Sequence, residues 1–181
     1  MTETPIRFRP NLRKALEVVL WCASKRGSAD FHTVLKVLFG AEIQHLNAWG
    51  RPIVGDTFHA MQFGPVAVGT YELMKREPLA LEALGDPDPP FKVKGYTVTP
   101  LRAPDLEAFS QSELDALEAG WVEFGHLPFM SRTEVSHQHP AWQRAWDIGR
   151  NRMDWADFLE GENATPEARD DLAEVGLALR L

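Results

Sequence analysis

A chain of 181 residues with 44% apolar and 25% charged side chains has the length and composition of one domain with a sizeable core. Its 26 acidic and 19 basic residues give a formal charge of −7, a field that repels phosphate backbones and anionic lipid, so broad coating of nucleic acid or membrane is excluded. The single cysteine, Cys22, rules out an intrachain disulfide and any Cys-x-x-Cys zinc or redox site.

A lone cysteine fits a reducing cytoplasm. Met1 to Pro10 carries charge without an apolar h-region, and no stretch approaches about 18 consecutive apolar residues, so neither a signal peptide nor a transmembrane helix is expected.

Asn11 is placed to cap a helix in which Leu12, Ala15, Leu16, Val19, Leu20 and Ala23 form one buried stripe, closed by Lys25, Arg26 and Gly27. A second helix runs from near Asp30 to about Ala48, with Phe31, Val34, Leu35, Leu38 and Phe39 inward and Trp49-Gly50 at its end. Gly50 to Asp56 holds two glycines and a proline in seven residues and reads as an ordered loop. Thr57 to Phe63 reads as extended, with Phe58, Ala60 and Gln62 on one face and His59, Met61 and Phe63 on the other. Gly64 breaks that strand, and Pro65 suits the first position of a short helix through Lys75.

Pro78 to Leu84 reads as another short helix, Asp86 to Pro90 as a turn or stiff connector, and Phe91 to Thr99 as a β-hairpin about Gly95. Ser110-Gln-Ser-Glu113 and Ser131-Arg-Thr-Glu134 both have capping-box spacing, and Thr165-Pro166-Glu167 opens a last helix. The fold class expected is mainly α with a small β element, an α+β domain spanning 1–181 with a short hairpin or small antiparallel sheet.

Chemistry-bearing patterns are few. His137-Gln138-His139 is the closest histidine pair and the basis for a metal-hydrolase reading, but it lacks a third or fourth donor at ligand spacing. Cys22 lies mid-helix, where a thiol packs rather than reacts. Gly64 to Gly69 lacks the Gly-Lys-Ser/Thr of a phosphate loop. Ser131 to Trp142 permits a helix-turn-helix reading with Arg132 and Gln138 as DNA contacts, set against an acidic surround. Trp142 and Trp146, four apart, share a helix face that reads as core before interface.

One block is distinctive. Leu35-Lys-Val-Leu-Phe-Gly-Ala-Glu42, then His45, then Gly50-Arg51-Pro52-Ile53-Val54-Gly55-Asp56, then Ala60, Gly64-Pro65-Val66 and Tyr71, resembles the Panacea domain, a family that includes SocA-like antitoxins. Tyr96 to Pro100, the helix from Ser110, Ser136-His137 and His139-Pro140-Ala141-Trp142 continue the likeness, so the family-like region spans about 12–146 and residues 147–181 form a helical extension. Where the family usually has Ala-Asp, Ala41-Glu42 keeps the acid with one more methylene.

The resemblance implies a bacterial or phage-borne antitoxin, not an enzyme and without cofactor or metal. It would neutralise a cognate protein toxin by direct contact, with delivery to a cellular protease as the second route that the resemblance implies. The implied partner-binding or motif residues are Gly50, Arg51, Pro52, Gly55, Asp56, Gly64, Pro65, Tyr71, His139 and Trp142, with Glu42, His45 and Ala60 structural. Gly50 and Gly55 allow unusual backbone angles, Pro52 stiffens the loop, and Arg51 and Asp56 either pair with each other, meet a partner, or staple the loop to the helices. The alternatives are a protease adaptor or general interaction module without a toxin, using the Leu177 to Leu181 tail, and less favoured a metal-dependent hydrolase or DNA-binding regulator.

Charge is uneven along the chain: residues 1–78 carry ten Lys/Arg against seven Asp/Glu, residues 79–181 nine against nineteen. The acidic half is therefore the expected steering surface toward a basic toxin.

Overall fold

Two short polar side chains start the helices around which the chain is built. In the computed structural model, which describes residues 5–179, Asn11 Oδ1 accepts from Lys14 N at 3.0 Å and opens α1 (Leu12–Ser24). Asp30 Oδ1 does the same for Thr33 N at 2.8 Å and opens α2 (Phe31–Trp49). Gly50, in the left-handed region at φ 68°, closes α2. Val34, Val37, Leu38 and Ala41 are fully buried, so α2 is covered on several sides and forms the centre of the core.

After the loop, β2 (Phe58–Met61) pairs antiparallel with β3 (Gly64–Ala67), placing Ala60 opposite Pro65. This corrects the expectation that Pro65 begins a helix. Gly64, at φ 93°, makes the turn that sends the chain back along β2, and α3 (Val68–Met74) starts only after the strand. The alternation in β2 is as read, with Phe58 and Ala60 buried and Met61 exposed. α4 (Pro78–Leu84) has Pro78 in its first turn and Gly85 beyond its end.

The Phe91 to Pro100 hairpin forms as β4 (Phe91–Lys94) and β5 (Thr97–Pro100), and β1 (Ala29–Asp30) adds to β5 as a third, antiparallel strand. These small sheets among helices make an α+β architecture.

α5 (Gln111–Gly120) begins with the Ser110–Glu113 capping box, both reciprocal bonds being present, and continues as a π turn over Trp121–Gly125. A Cβ at Gly120 would lie 2.4 Å from Val37 O, so glycine is what lets α5 rest directly on the α2 backbone. The second capping box does not form. α6 (Phe129–His137) starts three residues earlier than that box requires, with Pro128 held extended ahead of it and Arg132 N donating to Pro128 O, so Ser131 and Glu134 lie within the helix.

α7 (Pro140–Asp147) follows after one turn, and Thr165 caps α8 (Pro166–Ala178) by accepting from Ala168 N. Residues past 147 are part of the core: Trp155 and Phe158 pack with Phe8, Phe39 and Phe58, and Trp155 Nε1 donates to Asp56 O at 3.1 Å. Arg180 and Leu181 of the C-terminal tail, like Met1 to Thr4, lie outside the described residues, while Leu177 is exposed. No helix among the described residues is long and apolar enough to cross a membrane.

Candidate partner-binding cleft

The Gly50 to Asp56 loop is organised by two buried carboxylates. Glu42, one turn before the end of the α2 core, accepts from Ile53 N at 2.6 Å, Val54 N at 2.9 Å and Gly55 N at 3.0 Å. Its longer side chain reaches the loop and fills a nest of backbone donors. Burial pushes the Glu42 carboxyl up to about 7, while the three amides favour its ionised form. Asp56 accepts from Thr57 N, Gly69 N, Thr70 N and Thr70 Oγ1 at 2.7–2.9 Å, tying the loop to the start of α3.

Arg51 and Asp56 are thus not paired with each other. Arg51 Nη1 meets Glu113 Oε1 of α5 at 2.7 Å, where Lys14 Nζ also bonds at 3.0 Å. His45 Nδ1 donates to Arg51 O at 2.9 Å, leaving Nε2 to accept from Ser112 Oγ at 3.1 Å. These bonds make the motif loop a staple between α1, α2 and α5. The ion pairs Lys14–Glu113, Arg51–Glu113, Lys25–Glu118 and Arg132–Asp30 join the two charge blocks of the sequence.

A second group of family-like residues lines an open cleft of about 830 Å³ between the β2–β3 hairpin, the start of α2, the β4–β5 turn and the start of α6. Its lining is mostly apolar and aromatic, and the residues on its rim are left in solvent: Met61 46%, Phe63 46%, Tyr96 67% and Phe129 44% exposed. Phe63 and Phe129 meet edge to face at 5.3 Å on one side, and on the other Phe31 meets both Tyr71 and Tyr96. Tyr71 thus belongs to the cleft wall, and Ala60 is a buried residue of the hairpin itself.

Gly64 and Pro65 of β3 cover the end of the Lys36 side chain. A Cβ on Gly64 would sit 2.6 Å from Lys36 Cε and 2.3 Å from Ser136 Oγ, and Pro65 O accepts from Lys36 Nζ at 2.9 Å. Lys36 is 1% exposed, and burial together with the neighbouring Arg132 charge pulls its ammonium down to about 7. An unfolded lysine holds its proton to 10.5, so between about pH 7 and 10.5 the unfolded chain binds the extra proton. Stability from this group therefore rises with pH across that window. Urea unfolding of Lys36→Met is expected to show a flatter pH dependence over it than the wild type; parallel profiles would contradict the assignment.

The residues considered for other chemistries are already engaged. Arg132 donates to Phe124 O, Leu127 O and Asp30 Oδ1, so it is not free for a duplex as a recognition-helix residue would be. His139 Nδ1 accepts from Ala141 N as the cap of α7 and its Nε2 lies 2.6 Å from Glu160 Oε1. His137 stacks at 3.8 Å on Trp142, which stacks on Trp146. Trp142 is buried and donates from Nε1 to Met61 O, holding the hairpin tip, whereas Trp146 is half exposed. Burial pushes the Cys22 thiol up, away from the thiolate that a nucleophile needs.

Sequence reasoning located the loop but not the cleft, whose lysine, His32 and Phe129 are scattered over the chain. A signal that could have found it is the pair Met61 and Phe63, large apolar residues at the outward end of β2 and in the turn that follows. Comparison with protein-family models matches residues 34–143 to the SocA-like antitoxin Panacea domain. No curated protein and no solved structure matches the chain. The matched span takes in Glu42, the Gly50 to Asp56 loop, both strands of the hairpin and Trp142, and the chain belongs to the SocA-like antitoxin, Panacea-domain family.

Proposed function

We propose that the chain is an antitoxin that neutralises a cognate protein toxin by binding it directly, without a catalytic step, and that the toxin docks on the rim of the aromatic cleft. The observation that carries this reading is the exposed set Met61, Phe63, Tyr96 and Phe129, displayed around a cleft by residues that lie inside the family match. Apolar and aromatic side chains left in solvent around a concavity are characteristic of protein-binding sites. The rim is also held in place: His32 Nε2 donates to Phe63 O at 3.1 Å and Trp142 holds Met61 O, so little ordering remains to be paid when a partner arrives.

The test is co-expression with the product of a gene encoded beside this one that arrests growth alone. Growth is expected to be restored by the wild-type chain and not by Phe63→Ser/Phe129→Ser. A neighbouring product that is harmless alone, or stays toxic beside the wild-type chain, would overturn the reading.

A further inference from the structure

Lys36 is a buried cation whose hydrogen bonding is incomplete. Among the described residues its three N–H donors meet one acceptor, Pro65 O. The groups facing it are Asp30 and His32 from the start of its own helix, Arg132, Ser136 and His137 from α6, and Gly64-Pro65 from β3. Asp30 is the only acid of this set, and it is already committed to Thr33 N, Thr33 Oγ1 and Arg132. When Lys36 is protonated, it and Arg132 thus face one carboxylate, in a cleft whose lining is otherwise mostly apolar.

We propose that the cleft takes an apolar side chain of the bound protein together with an adjacent carboxylate, and that this carboxylate pairs with Lys36. This inference rests on the reading that a protein docks in the cleft, and it names the chemistry that the docking segment carries. A buried cation without a counter-ion is costly, and a carboxylate brought in with apolar surface removes that cost while the rings cover its carrier. Burial and the Arg132 charge pull the Lys36 ammonium down to about 7, and an incoming carboxylate would raise it again, so a proton would be drawn from solvent on binding. His32, pulled down to about 4 by burial and by the Lys36 charge, stays neutral in that range and does not contribute the proton.

The experiment uses the full chain and two probes of one shape, 4-phenylbutyrate and its primary amide, titrated calorimetrically at pH 7.5 in buffers of different ionisation enthalpy. The acid is expected to bind at least about tenfold more tightly than the amide, the gain of one charge-assisted hydrogen bond. Its heat is expected to vary with buffer as protons are taken up, while the amide's does not. Lys36→Met is expected to equalise the two probes. Equal affinities for the wild type, or a heat independent of buffer, would overturn the proposal, and both are read on the wild-type protein whether or not the variant folds. Co-expression separates the two claims: a carboxylate preference without rescue from the toxin leaves the site and removes the antitoxin reading, whereas rescue undiminished by Lys36→Met removes the carboxylate from the docking segment.

Discussion

Glu42→Gln is expected to lower the unfolding free energy by about 1–3 kcal/mol at pH 8, the amides left without an acceptor outweighing the relief of a buried charge, against a total of about 5–15 for a domain of this kind. Both carboxylate oxygens are in use: Oε2 takes Ile53 N, and Oε1 takes Val54 N and Gly55 N. Glutamine keeps one acceptor oxygen and turns an NH₂ group against at least one of those amides. The site is fully buried, so no water stands ready to accept from the donor left behind. Ile53 and Val54, both at 0% exposure, are anchored by the same contacts, and their release would also cost apolar burial. The measurement is urea unfolding followed by circular dichroism, where the midpoint falls with little change in slope. A midpoint unmoved by the substitution would mean that the loop is held by other contacts.

Gly120→Ala is expected to cost about 2–3 kcal/mol, even though alanine in an exposed helix would gain about 1. The added methyl meets backbone, Val37 O at 2.4 Å and Ala41 N at 3.0 Å, and backbone cannot rotate aside as a side-chain tip does. Relief requires α5 to move off α2. Because α5 carries Ser112 and Glu113, the partners of His45 and of Arg51 and Lys14, the displacement would also loosen the motif loop. Thermal unfolding is the check, with faster amide exchange at Ile53 to Gly55 as the local sign; an unchanged midpoint would contradict so tight a helix contact.

How much of this was legible from the residues follows from the range of the forces involved. α1, α2, α4, the Phe91 to Pro100 hairpin and the caps at Ser110 and Thr165 depend on neighbours a few positions away, and their patterns are plain in the chain. Pro65 was misplaced because its position in a strand depends on pairing with Ala60 across a glycine turn, and a proline before a helical run suits a helix start equally well. Ser131 has the spacing of a cap, but Pro128, held extended, begins the helix earlier.

For the site, Gly50 to Asp56 stood out as an ordered loop, whereas the pairing of its charges did not. Arg51 finds Glu113 at 2.7 Å across 62 positions of sequence, a contact that only the packing of α5 on α2 creates. The cleft was the least legible part. Lys36 lies at a position that reads as one polar residue in an amphipathic helix, and it is the return of β3 and the packing of α6 that bury it.

The central claim is that the aromatic rim is the surface that holds the toxin. It is tested most directly by the affinity of the purified chain for the toxin it rescues, measured for the wild type and for Phe63→Ser/Phe129→Ser. The account predicts binding weakened by at least about 100-fold, with an unchanged circular dichroism spectrum, since two large aromatic contacts are lost from the centre of the interface. Equal affinity of the two proteins would contradict it and place the toxin elsewhere on the molecule.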